Sequence, residues 1–395
     1  MTPSFRSPFA ADAALWSYGF RPFFLAGAIQ SAVGIALWLP MFFGDLQIPT
    51  AMSPVDWHIH EMLYGYLPAI MAGFLLTAIP NWTGRPPVRG GVLAALVLVW
   101  LAGRFAVLCS GPIGPWPAAC VDIAFPVLAA AAAAREVIAG RNWKNLPPIG
   151  LLALFAAGNL IFHIEDHETG NAELGTRIGL AAAVLLVALI GGRVIPSFTR
   201  NWLMHENPGR LPVPFGRFDA GVLALSALTL AMWVMMPRHP ATGVLMLLAG
   251  AAHAVRLARW AGDRTLRSPL TLVLHVGYAF LAAGFGLLGG AVFFPLGVAV
   301  SAGIHAWTAG TIGVMTLAMM TRVSLGHTGR VLAASRVTCV IYVCVVVAAL
   351  VRIQAAIEPK WTAALLPVAG GAWVIAFLLF VLEYGPLLLR QPTNA

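Results

Sequence analysis

Unbroken apolar runs of at least about 18 residues follow one another along almost the whole chain, parted only by short breaks rich in Pro, Gly and Arg. In lipid every backbone N–H and C=O must find its partner within the protein, so a run of this length is either a helix or part of a closed barrel. Barrel strands are segments of about ten residues with alternating polarity, whereas these runs are continuous and about twice as long. The sequence therefore predicts an all-α polytopic membrane protein of about twelve transmembrane helices, at roughly 20–43, 54–79, 90–110, 117–139, 148–166, 176–198, 218–236, 240–261, 269–291, 297–321, 331–352 and 361–385. Composition agrees: only 10% of residues are charged and 59% are hydrophobic, against about 25% charged in soluble domains. The first run lacks a compact core followed by a small-residue cleavage site, so it is expected to be retained.

Charge predicts the orientation, because Lys and Arg gather in cytoplasmic loops. With the N-terminus inside, 19 of the 24 Lys and Arg residues, from Arg6 and Arg21 to Arg390, fall at inner ends or loops; Arg104, Arg177, Arg238, Arg352 and Lys360 fall elsewhere. Both termini are thus expected to be cytoplasmic, and the net charge of +9 is a topology signal that calls for no nucleic acid. Residues 1–395 read as a single integral membrane domain. Span starts near 20, 148 and 269 suggest three four-helix repeats at about 20–139, 148–261 and 269–388, although recurring helix-end chemistry gives the same pattern. No phosphate-binding loop or dinucleotide fingerprint is present, which excludes an ATP-driven role for this chain. Cys109, Cys120, Cys339 and Cys344 form neither a CxxC nor a CxxCH motif, so covalent haem is not expected. Cys109 and Cys120 flank a short outer loop and could pair there, but read more readily as separate thiols.

Seven of the ten histidines (His58, His60, His163, His167, His253, His275 and His305) fall in or at the ends of apolar runs. A polar side chain there is costly unless partnered, which makes each a functional candidate. In SPVDWHIHEMLYGY, Ser53, Pro54 and Asp56 make a helix start with a capping box. His58 and His60 then point roughly 200° apart and cannot both serve one metal from a regular helix. Glu61, one turn from His58, is placed to orient it or to accept a proton. His163 and His167 share a helix face at i, i+4, a spacing that permits joint coordination of copper or zinc, beside the acidic Glu165, Asp166, Glu168 and Glu173. His305 lies about 25 Å above Arg322 and His163 about 24 Å above Pro147 at 1.5 Å per residue, so an outer-side cluster of His58, His60, His163, His167 and His305 is expected. At a second level His253 and His275 are placed to share one centre, with Arg256 and Arg259 suited to haem propionates. Against this stands the plain reading of each ring as a hydrogen-bonded packing group. Arg104 and Arg135 read as snorkelling cations near helix ends.

The segments FRPFFL, DWHIHEM, HAVRLARW, LHVGYAFL and HAWTAGTIGVMTLAMMTRVSLGHTGR together resemble the NnrS family, over essentially the whole chain. The resemblance implies a bacterial inner-membrane protein that contains haem and copper and acts in the nitric oxide response. By motif it points to His58, His60, His253, His275, His305 and His327; His163 and His167 rest on spacing alone. The expected cofactors are haem b and copper, and the expected activity is the binding and detoxification of nitric oxide by reduction to N2O. Electrons would come from quinol or a small cytochrome, and protons through Glu61, Glu165 and Asp166. The alternatives are a sensor or metal-handling protein without turnover and, ranked last, a secondary transporter.

Overall fold

The computed structural model describes residues 13–391; Arg6 lies outside them. The described residues form helices and no strand. Eleven helices are long and apolar enough to cross a membrane. Spans one to six are Phe20–Phe43, Pro54–Thr83, Gly91–Leu108, Pro115–Ala139, Trp143–Thr169 and Glu173–Glu206; spans seven to nine are Arg217–Met235, Pro240–Ala258 and Pro269–Phe293; spans eleven and twelve are Arg336–Ile357 and Pro359–Leu389. The remaining expected span, the tenth, is built of three consecutive pieces, Val300–His305, Ala306–Gly313 and Val314–His327.

Span six differs most from expectation. It is helical for 34 residues, about 51 Å at 1.5 Å per residue, well beyond a hydrocarbon core of about 30 Å. The segment expected to open a loop at residue 199 carries no helix breaker before Asn207-Pro208-Gly209, where Gly209 takes φ +143°. Helix therefore continues to Glu206.

Spans two and ten share a construction. Each begins as ordinary α-helix, and each passes into π-helix directly after a histidine: Glu61–Tyr66 follows His60, and Ala306–Gly313 follows His305. Each then resumes as α-helix and closes on Thr-Gly-Arg, with Gly84 at φ +70° and Gly329 at φ +71° in the left-handed conformation that glycine adopts without strain. Single π turns inside helices concentrate at functional sites because they re-aim the side chains around them.

The chain divides into two compact units. The first holds the residues up to Gly179, together with Val323–Val331 and the chain from Phe380 onward; the second holds Leu180–Arg322 and Leu332–Leu379. The first unit packs spans one to four around Phe23, Leu76, Leu93, Trp100 and Phe125. Its buried Arg21 donates to the carbonyls of Leu387, Leu388 and Arg390 at 3.2, 2.9 and 2.8 Å, which caps the C-terminal end of span twelve where the helix leaves carbonyls unpaired. In the second unit, spans eight and nine meet through small residues: a Cβ on Gly250 would lie 3.0 Å from the Ala282 carbonyl, and one on Gly289 3.0 Å from the Gly243 carbonyl.

Candidate metal centre

Spans one to five of the first unit converge on a set of buried polar side chains. His60 is fully buried, and Asp122, Glu61, His163 and Arg104 are 1, 2, 5 and 7% exposed. His60 Nε2 lies 3.1 Å from Asp122 Oδ2, and His163 Nε2 lies 3.1 Å from the same oxygen. Asn159 Nδ2 donates to that oxygen at 2.7 Å, and Asn159 Oδ1 lies 3.2 Å from His60 Nε2. His60 Nδ1 faces Glu61 Oε1 at 3.3 Å. Arg104 bridges the two carboxylates, donating from Nη1 to Glu61 Oε1 at 2.5 Å and from Nη2 to Asp122 Oδ1, while Gln30 Nε2 donates to Glu61 Oε2. One ligand atom each from His60, Asp122 and His163 lies within 4.8 Å of the other two, the metal-ligand grouping found among the described residues.

Two features of this set call for a further cation. Both nitrogens of His60 face oxygens, yet neutral imidazole carries a single N–H, so one nitrogen meets an acceptor lone pair unless a proton or a metal ion stands there. Within the group, two carboxylates face one guanidinium, which leaves a negative charge in a region where an uncompensated charge is expensive. A metal on Nε2 answers both, with Nδ1–H donated to Glu61, the carboxylate–histidine–metal arrangement that fixes ring and tautomer.

Local sequence explains how the residues meet. Ser53 Oγ accepts from Asp56 N at 3.1 Å and Pro54 takes the first helical position, as expected. In place of the reciprocal half of a capping box, the Asp56 carboxylate accepts from Ser53 Oγ at 2.5 Å. Asn159 and His163 stand at i, i+4 on span five and present one face to Asp122. Glycines clear the space: a Cβ on Gly65 would strike Arg104 Nη1, and one on Gly103 would lie 3.1 Å from Asp122 Oδ1. Tyr64 closes the side, its hydroxyl donating to Gly175 O at 2.6 Å, and Phe162 packs 5.3 Å from the His60 ring.

The other expected site residues occupy different settings. His58 is stacked on Trp38, centroids 4.0 Å apart, and Glu61 contacts His60. His167 lies one turn beyond His163, exposed, edge-on to Trp116. Glu165 accepts from Leu174 N and Gly175 N at 3.2 and 2.7 Å, so its carboxylate caps the start of span six. Asp166 is half-buried and interacts electrostatically with Asp56, His60 and His167. Arg104, read as a snorkelling cation, is instead buried because two carboxylates hold it. In the second unit His253 is satisfied on both sides: Tyr278 OH, which accepts from Arg256 Nη1 at 2.9 Å, lies 2.9 Å from Nδ1, and Ser226 Oγ lies 2.8 Å from Nε2. Arg256 Nε donates to Asp219 at 2.9 Å, and Arg259 lies 3.8 Å from the same carboxylate and over the Phe218 ring. His275 Nε2 faces Thr199 Oγ1 at 2.9 Å, while its buried Nδ1 has no hydrogen-bond partner and lies where a Cβ on Gly262 would come within 2.5 Å. His305 Nδ1 donates to Ser301 O at 2.7 Å. Asp122, Asn159, Arg104 and Gln30 were not singled out as site residues from sequence, although an Asp in the apolar run AACVDIAF carries the same signal as a histidine there.

Apolar helices long enough to cross a membrane, with a buried His–Asp–His group among them, define a polytopic helical membrane protein whose interior carries a candidate metal-ligand set. The family described as NnrS protein matches residues 14–391, and the chain belongs to that family. No curated protein matches it.

Proposed function

We propose that this chain binds and detoxifies nitric oxide in the bacterial inner membrane, by reduction to N2O, at a metal centre held by His60, Asp122 and His163. The observation that carries the reading is the convergence of two imidazoles on one buried carboxylate inside a chain of the NnrS family. A reduced metal there supplies a binding position for nitric oxide and a route for electrons from quinol or a small cytochrome; two NO, two electrons and two protons give N2O and water. The protein's own groups do the remaining work. Glu61 fixes the His60 ring through Nδ1 and is placed to hold a proton. Arg104 anchors Asp122 Oδ1 so that Oδ2 alone faces the imidazoles. Asp166, one turn outward from His163, is placed to pass protons from the outer side. Both termini face the cytoplasm in this reading, following the distribution of Lys and Arg.

Copper fits the imidazole donors of this group. For haem, His305 fits: its Nδ1–H is donated to a carbonyl, which puts the lone pair on Nε2, the tautomer a metal ligand needs. His253 does not fit in this arrangement, since Tyr278 and Ser226 engage both of its ring nitrogens, and Arg256 is engaged by Asp219 rather than open to a propionate.

The test is NO consumption and N2O formation by proteoliposomes given a quinol. Wild type is expected to convert NO to N2O, and His60→Ala and His163→Ala to lose this. Unchanged turnover in both variants discards the assignment. NO binding without N2O places the chain in the sensing or metal-handling class.

A further inference from the structure

We infer that the junction between the end of span one and the start of span two, built around Trp38, Trp57 and His58, binds the head group of a membrane quinol; the inference rests on the reading of the chain as a nitric oxide reductase and names where its electron donor docks. Two buried donors there lack acceptors. Trp38 and Trp57 are 5 and 3% exposed, and neither Nε1 has a hydrogen-bond partner among the described residues. A buried indole N–H usually finds an acceptor, because leaving it without one forfeits its solvation. Quinol and quinone oxygens are acceptors that arrive through the bilayer. The surroundings suit an aromatic ring: His58 is stacked on Trp38 with the planes 20° apart, and Phe42 packs 5.2 Å from the same indole. Phe42 and Phe43 are exposed, as are Ile29 and Val33 further along span one, which offers an apolar surface to a hydrocarbon tail. Apolar walls with a few polar groups are the usual make-up of a small-molecule site. The junction also leads to the metal centre. Trp38, Gly34 and Gln30 stand four residues apart on one face of span one. Trp38 meets His58, a Cβ on Gly34 would lie 3.7 Å from Met62 Sδ, and Gln30 donates to Glu61 beside His60. From Trp38 to Gln30 is about 12 Å along the axis. Oxidation of the quinol breaks two O–H bonds and forms two C=O bonds. It sends two electrons to the metal and releases two protons, the first to the His58 imidazole; two NO take up as many of each in forming N2O and water.

The test measures binding apart from turnover. Decylubiquinone is titrated calorimetrically into the purified full chain in detergent, and an azido derivative is photolysed on the chain and mapped by peptide mass spectrometry. Trp38→Phe and Trp57→Phe keep an aromatic ring and remove the N–H, and each is expected to weaken binding about three- to tenfold. His58→Ala is expected to weaken it at least as much. Trp361→Phe, at an exposed indole of span twelve, is expected to bind as wild type does. The label is expected on peptides that contain Trp38 or His58. Matching helical circular dichroism in all variants excludes unfolding as the cause of loss. No binding of decylubiquinone, an affinity that none of the three junction substitutions alters, or a label confined to other helices overturns the site; N2O formation with a soluble reductant would then leave the reductase reading standing. Binding weakened as expected in a chain that makes no N2O with any reductant supports the site and overturns that reading instead.

Discussion

Arg104→Met isolates the electrostatic design of the first unit. The Arg104 guanidinium is 7% exposed and bridges Glu61 and Asp122, themselves 2 and 1% exposed. Methionine fills much of the space but leaves both carboxylates without their cation. Removing one partner of a buried ion pair costs about 3–5 kcal/mol, because the remaining charge stays desolvated. Neutralising one of the stranded carboxylates should return part of that loss. The double variant Arg104→Met/Glu61→Gln is therefore expected to be more stable than Arg104→Met alone, by about 1–3 kcal/mol. The assay is unfolding in detergent micelles followed by tryptophan fluorescence, with all four members of the cycle compared under one condition and without added metal. If Arg104→Met lies within about 0.5 kcal/mol of wild type, the range of ordinary surface substitutions, or if the two changes simply add, the bridging role of Arg104 is refuted.

In the second unit, Tyr278→Phe removes the hydroxyl shared by Arg256 and His253 and leaves His253 Nδ1 unsatisfied; a loss of about 1–3 kcal/mol is expected in the same unfolding assay. In the first unit, Arg21→Met withdraws the donor to three carbonyls at the end of span twelve, with an expected loss of about 1.5–3 kcal/mol and faster proteolysis of the C-terminal segment. Wild-type cleavage rates in that variant would show that Arg21 is no cap.

The helical architecture was legible in the sequence because lipid leaves a long apolar run only one way to satisfy its backbone, and eleven helices plus the three-piece segment at 300–327 correspond to the twelve runs. Helix ends were harder to place. Span six outran its apolar stretch because Thr199 to Glu206 contains nothing that stops a helix, and the length of a span follows from breakers as much as from hydropathy. In the candidate centre, His60 and His163 were visible as imidazoles in hydrocarbon, and the Ser53–Pro54 start placed His60 on helix. Their meeting point was not visible, since Asp122 and Asn159 come from spans four and five and lateral adjacency of helices leaves no mark on a single sequence. Regular helical angles also paired Glu61 with His58. In the structure the Glu61 carboxylate, at the start of the π turn, faces His60 Nδ1. Arg104 was misread because a cation four residues from a helix end resembles a snorkelling one until its partners are known.

The most direct measurement is the non-haem metal content of the protein as isolated, compared between wild type and the His60→Ala/His163→Ala double variant. A metal equivalent in wild type that disappears in the double variant while the helical fold persists is the expected result. Equal metal content in the two proteins would contradict the existence of a centre at these residues.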